Sequence, residues 1–170
     1  KMGFSTLGCP SWSYEMILKR SSEYGFNGFE VRGILGQMDL LKVPEFKPAQ
    51  RAETLRKASD AGVEIIMLMT SCKFSSLDSV ERKKNIDEGK ANMDLAVEMG
   101  VNIIRVFGGR IGQETSPESV YDWVVENLRN LAEYGENIGV AVAIETHDDF
   151  VDTHLVKKII RRVDHPNMKV

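Results

Sequence analysis

Residues 139–149 read Gly139-Val-Ala-Val-Ala-Ile-Glu-Thr-His-Asp-Asp149: a glycine, five apolar residues, then a Glu, a His and two Asp. A short run of small and β-branched residues predicts a buried strand. Its alternation puts Val140, Val142 and Ile144 on one face and Ala141, Ala143 and Glu145 on the other. A carboxylate at the end of the second face is costly to bury unless it meets a cation. This strand therefore calls for an apolar layer on one side and a polar opening at its C-terminal end.

The same pattern recurs at Gly25-Phe-Asn-Gly-Phe-Glu-Val-Arg, Gly62-Val-Glu-Ile-Ile-Met-Leu-Met and Gly100-Val-Asn-Ile-Ile-Arg-Val-Phe. Each glycine follows an amphipathic segment, as a helix C-terminal cap leading into a strand does. The repeat of roughly 35 to 40 residues fits a helix, two loops and a strand. Between Pro117 and Ile138, Val120, Val124, Leu128 and Leu131 form one apolar stripe, with Trp123 alongside. Ser116 as N-cap and Pro117 at the first helical position mark its start. Residues 79–99 place Ile86, Met93, Ala96 and Val97 on one face, and 13–24 and 48–61 read as helices too. Val156, Ile159, Ile160 and Val163 mark a fifth helix. A short strand at about residues 2–7 precedes the first helix, and Asn167-Met-Lys-Val170 begins a sixth strand.

Strict β-α alternation means a parallel sheet with helices packed outside it. It closes either as an open doubly wound sheet or as an eight-stranded barrel. The strand faces favour the barrel: Phe29 and Val31 face out, while Gly28, Glu30 and Arg32 face in, toward a rim where such folds build their sites. The expected fold is a parallel (β/α)8 TIM barrel truncated to about five βα units plus the start of the sixth strand, with residues 1–170 the N-terminal portion of one domain. A complete barrel of this type runs to about 250 residues. A truncated chain leaves unpaired sheet edges, and pairing between copies through those edges is expected from it.

Composition narrows the partners. The net charge is −3 with signs interspersed, which offers no track for a nucleic-acid backbone. The longest apolar runs fall far short of the ~20 residues of a membrane span, so no membrane association is expected. Cys9 and Cys72 form neither a CxxC nor a disulfide framework, and two reduced cysteines fit a cytoplasmic protein.

The strand ends supply the candidate site. Glu145 is either a hard oxygen ligand for a divalent metal or the partner of Arg105 on the adjacent strand. Glu30 and Arg32 share a face and read as a clamp on substrate hydroxyls or as an interior charge pair. Trp12 and Phe107 either wall a sugar-sized pocket or belong to the core. His147 is a substrate contact or a solvated loop residue. Asp148 and Asp149 read as caps of the following helix, and His154 and His165 as solvated. Gly108-Gly109-Arg110-Ile111-Gly112 lacks the Gly-Lys-Ser/Thr of a phosphate-binding loop.

The strand ending Ile144-Glu145-Thr146-His147, the segments Gly28-Phe29-Glu30-Val31-Arg32 and Arg105-Val106-Phe107-Gly108-Gly109, and the close His165-Pro166-Asn167-Met168-Lys169-Val170 resemble the xylose isomerase-like TIM barrels. The resemblance implies a sugar or sugar phosphate isomerase or epimerase that moves a proton beside a carbonyl through an enediolate. It implies a divalent metal (Mn²⁺, Mg²⁺ or Zn²⁺), with Glu145 as its first ligand and as an acid/base. By the same resemblance the other three ligands come from the sixth, seventh and eighth strands. A chain ending at Val170 is then expected to bind metal weakly and to be inactive alone. Arg105, Phe107, Trp12, Glu30, Arg32 and His147 are the expected substrate contacts. The alternatives are a sugar-binding barrel without catalysis and an endonuclease IV-like metal-dependent nuclease. The nuclease needs zinc-binding histidines on earlier strands, and no histidine precedes His147.

Overall fold

The computed structural model describes residues 2–112 and 116–170. Six strands, β1 (Gly3–Ser5), β2 (Gly28–Val31), β3 (Glu64–Lys73), β4 (Ile103–Phe107), β5 (Ala141–Glu145) and β6 (Met168–Lys169), pair in sequence order. Every pairing is parallel. The helices α1 (Tyr14–Tyr24), α2 (Arg51–Asp60), α3 (Ser79–Glu98), α4 (Pro117–Ile138) and α5 (Thr153–Val163) are the crossovers. A doubly wound sheet reverses its strand order at a switch point. No reversal occurs here, so the sheet is an arc of a barrel. Among the described residues no helix is long and apolar enough to cross a membrane.

The repeat of glycines has a backbone cause. Gly25 and Gly139 cap α1 and α4 at φ 74° and 76°, the left-handed region where a Cβ is strained, and the chain then turns directly into β2 and β5. Ser116 is the N-cap residue of α4, but its hydroxyl donates to the Glu118 carboxylate (2.8 Å) and makes no bond to the helix backbone.

The layer between sheet and helices is the core. Phe29, Val31, Leu68, Ile104, Val106, Val142 and Ile144 point into it from the strands, against Ile17, Met93, Ala96, Val124, Leu128, Leu131 and Ile159. Alternation then turns Glu30, Arg105 and Glu145 to the inner face. Two expectations need correction. Val97 is exposed, because α3 buries Asn85, Gly89 and Asn92 along with Met93 and Ala96. His165 is not solvated: its side chain is only 13% exposed, Nδ1 accepts from the Asn167 amide (3.2 Å), and Nε2 lies 3.5 Å from Glu136.

Candidate functional site

The C-terminal ends of β2 to β5 carry the polar groups. Strand register aligns them: Met69 stands beside Arg105 and Arg105 beside Ala143, while Lys73 stands beside Phe107 and Phe107 beside Glu145. The structure thus brings Glu145, Arg105, Phe107 and His147 into one cluster.

Arg105 is its centre. The side chain is buried, with Nη1 donating to the Thr70 carbonyl (2.8 Å) and the guanidinium stacked 3.9 Å from the centroid of the Phe107 ring. The Thr70 hydroxyl in turn donates to the Arg105 carbonyl (2.9 Å), which ties β3 to β4 at this level. Nε lies 2.7 Å from Glu145 Oε2, but its N–H is not aimed at that oxygen, so both atoms are buried without an aligned hydrogen bond. The guanidinium is lowered to about 10, chiefly by burial, with Glu145 opposing, Arg32 adding to the lowering and Glu30 opposing it. It remains a cation at neutral pH.

Arg32 and Glu30 flank this pair. Arg32 is half-buried; Nη2 donates to the Ser71 hydroxyl (3.1 Å) and Nη1 to the Met38 carbonyl (3.3 Å). Burial lowers its guanidinium and Glu145 pulls it back. Glu30, on the next position inward along β2, acts electrostatically on Arg105 and has no hydrogen-bond partner among the described residues. The inner face therefore balances two guanidinium groups against two carboxylates. Such a set offers donors for the oxygens of a polyol or enediolate and carboxylates for its hydroxyls and protons.

His147 packs against Phe107 at a tilt of 57° with ring centroids 4.9 Å apart, and its Nδ1 lies 3.2 Å from Asp148 Oδ2. Asp148 also accepts from Arg110 Nε (3.2 Å), and Asp149 accepts from the Ile111 amide (2.6 Å). Partial burial pushes the Asp148 carboxyl up, but its bonds to Arg110 and His147 outweigh this and hold it below the usual range. The two acids thus tie the loop after β5 to the loop after β4. This corrects their reading as helix caps, because Asp152 caps α5 by accepting from the His154 amide (2.8 Å). Phe150 packs where a side chain at Gly108 would otherwise go.

Trp12 sits apart from the cluster. It lines an apolar groove of about 580 Å³ along the outer edge of β1, with Phe4, Leu7, Cys9, Tyr24 and Phe26. This groove belongs to the open edge of the sheet. A smaller one, about 290 Å³, opens at the rim beside the charged cluster and is lined by Lys73, Ser75, Ser76, Glu81, Arg110 and Asp148. Sequence reasoning placed Ser71 and Lys73 at the end of the third strand without a role, and it missed the Asp148 staple. The register of Lys73 with Phe107 depends on an irregularity in β3 between Met69 and Lys73, which no alternation pattern reveals.

A divalent metal needs several oxygen or nitrogen donors around it. Among the described residues no three His, Cys, Asp or Glu side chains converge to hold one. Glu145 Oε2 is a buried acceptor without an aligned hydrogen bond, but the cation facing it is Arg105. These residues supply one donor and not a metal centre.

Residues 18–170 match the family model described as xylose isomerase-like TIM barrel. A fructoselysine 3-epimerase from Escherichia coli O157:H7 is 27% identical over 150 residues, covering 85% of this chain and 54% of the relative. The chain thus spans about half the length of the curated relatives it matches. Among solved structures, a D-psicose 3-epimerase from Clostridium cellulolyticum H10, crystallised with D-tagatose, superposes with a TM-score of 0.78 at 19% identity. That alignment covers 100% of this chain and 62% of that one. The IOLI protein, solved with a bound zinc atom, gives a TM-score of 0.80 at 20% identity, with coverages of 99% and 60%.

Proposed function

The chain belongs to the xylose isomerase-like TIM barrel family, and from that premise we propose that it forms part of a sugar or sugar phosphate isomerase or epimerase. Its relatives among curated proteins are sugar epimerases at low identity. The observation that carries the reading is the buried Arg105 guanidinium set against Glu145 at the C-terminal mouth of a parallel sheet. Glu145 takes the proton from the carbon beside the substrate carbonyl; its return to the neighbouring carbon on the same face isomerises the sugar, whereas epimerisation needs a second acid on the opposite face, which the resemblance puts on the eighth strand. Arg105 and Arg32 face the negative charge that develops on the enediolate oxygens, where fixed donors in a water-poor site act most strongly. Glu30 accepts from a substrate hydroxyl. Phe107 and His147 form the wall behind the sugar carbons, and Trp12, which lies on the outer edge of β1, takes no part in it.

Glu145 is proposed as one ligand of a divalent cation (Mn²⁺, Mg²⁺ or Zn²⁺), which when bound polarises the carbonyl. With one donor among the described residues, this chain alone is expected to hold Mn²⁺ only weakly and to turn over no sugar. The proposed substrate is a small sugar, and the cytoplasm is proposed as the compartment because two unpaired cysteines fit it. Nucleic acid is no part of the reading.

The test is proton exchange. The protein in its full natural length, incubated with ketoses in D₂O, should wash deuterium into one carbon beside the carbonyl, and Glu145→Gln should slow this by about 10³-fold or more. Exchange that survives Glu145→Gln sinks the proposal. A second reading, a sugar-binding barrel without turnover, is favoured by the Glu145–Arg105 pair, which gives the carboxylate a cation without metal. It predicts sugar binding with no exchange.

A further inference from the structure

Arg32 enters the mouth of the sheet from the end of β2 on a fixed backbone. The buried Thr6 hydroxyl accepts from the amides of Arg32 (2.9 Å) and Gly33 (3.2 Å). The guanidinium itself is half-buried and held by neutral groups, the Met38 carbonyl on Nη1 and the Ser71 hydroxyl on Nη2. Among the described residues no carboxylate lies within ion-pair distance of it, whereas Arg105 has Glu145 at 2.7 Å. Partly burying a cation without a counter-ion is costly, and an arriving anion recovers that cost. Each Nη group spends one N–H on its neutral partner and keeps a second.

Ser71 and Lys73 continue these donors along β3. Both are exposed while Cys72 between them is buried, so they share the face that Arg32 meets. The Ser71 hydroxyl accepts from Arg32 and keeps its own proton to give. The Lys73 ammonium has no hydrogen-bond or ion-pair partner among the described residues. Glu81 lines the rim cavity with Lys73 but makes no ion pair with it, and accepts from the Ser76 hydroxyl (2.6 Å) instead. Arg110, on the same rim, bonds Asp148 through Nε and keeps its Nη groups open. A sugar hydroxyl has a proton to place as well as lone pairs, and this row of donors gives that proton little to bond to. An oxyanion brings acceptors alone, together with the charge that Arg32 and Lys73 lack.

The row lies where the far end of a sugar would arrive. Lys73, Phe107 and Glu145 stand in register on three adjacent strands, so Lys73 is two inter-strand spacings, ~10 Å, from Glu145. Arg105 lies beside the reacting carbons. Arg32 comes from β2, across β3 from there, so its pull on the enediolate is long-range and its direct contact is with the other end of the substrate.

We propose that Arg32, Ser71 and Lys73 form a subsite for a terminal oxyanion group of the sugar, a phosphate ester or a carboxylate. This rests on the sugar-site reading of the Glu145 cluster. The test titrates the protein in its full natural length with D-fructose, fructose 6-phosphate, D-fructuronate and inorganic phosphate, with calorimetry for affinity and amide NMR for place. One of the two anionic sugars should bind about tenfold more tightly than fructose, or better, and shift the amides of Ser71 and Lys73 and the Nε–H of Arg32. Which of the two binds tighter tells a phosphate ester from a carboxylate. Lys73→Gln and Ser71→Ala, both at exposed positions, should each cut that advantage by about threefold or more and leave fructose affinity within about twofold. An advantage that survives both variants overturns the assignment. Equal affinity for fructose and both anionic sugars overturns it in favour of a neutral polyol site. Inorganic phosphate that binds as tightly as the sugar phosphate overturns it as an adventitious ion only. Fructose that shifts the Phe107 and Glu145 amides, with no gain from either anionic group, defeats this inference alone; sugars that shift neither region defeat the sugar-site reading with it.

Discussion

Arg105 is held from three sides, by the Thr70 carbonyl, the Phe107 ring and the Glu145 carboxylate. Arg105→Met would keep the packing and leave a carboxylate without its cation. Breaking a fully buried pair costs about 3–5 kcal/mol, but the Glu145 side chain is 34% exposed and water recovers part of that. We expect a loss of about 1–3 kcal/mol in urea unfolding, and a smaller loss when Glu145→Gln is made together with it. Additive losses would mean that the two groups do not interact. Cys72 gives a pH prediction. Burial pushes its thiol up to about 12 from an ordinary 9.0, with the Thr70 hydrogen bond opposing. A raised folded value stabilises fully below the unfolded value and is lost as pH rises, so the contribution should fade between about pH 9 and 12. Tyr14, whose hydroxyl donates to the Thr54 carbonyl (2.9 Å), is pushed up in the same direction by burial. Urea midpoints should therefore drop between pH 8 and 10.5, and drop less in Cys72→Ala. An unchanged slope in that variant would show that the thiol stays neutral in both states.

At the scale of elements, two helix glycines show where local propensity loses to packing. Alanine in place of glycine inside a helix gains about 1 kcal/mol from propensity. At Gly135 of α4 a Cβ would press into the backbone carbonyl of Val140, which a rigid strand entry cannot move, and overpacking of this kind costs about 1–3 kcal/mol or more. At Gly89 of α3 it would meet only the Leu131 methyl groups at 3.1 Å, which can rotate away. Gly135→Ala should lower the urea midpoint clearly, while Gly89→Ala should stay within about 1 kcal/mol of the parent. The reverse order would refute the packing argument. The sequence could not separate these two glycines, since neither breaks the apolar stripe of its helix. It did show where the helices end: Gly25 and Gly139 stop α1 and α4 at the expected positions, because a left-handed cap is a one-residue requirement. Glu145 and its pairing with Arg105 were legible for a similar reason, as alternation and neighbouring strands suffice to place them. Asp148 and Asp149 were not. Their partners Arg110 and Ile111 lie on another loop, and local preference alone favours a cap.

At the scale of the whole molecule, the sheet has two ends with one neighbour each, β1 and β6. A barrel has no such ends, and unpaired parallel edges recruit other chains. The two edges are not equivalent. β6 is two residues long and stands beside α5, whose last turn carries Arg161 and Arg162. Beside β1 runs the apolar groove of Phe4, Leu7, Trp12, Tyr24 and Phe26, where Leu7 is 57% and Tyr24 59% exposed. Apolar surface next to free backbone donors and acceptors should make β1 the edge through which copies of this chain associate. Sedimentation should therefore show mass rising with concentration over the micromolar range, reversed by Leu7→Asp. Leu7 contributes no side chain to the core, so that variant should keep the parent's urea midpoint, which separates lost association from lost folding. A chain that sediments as a monomer at every concentration, or a Leu7→Asp variant that associates as strongly as the parent, would place the cohesive surface elsewhere or show that the β1 edge is protected in solution.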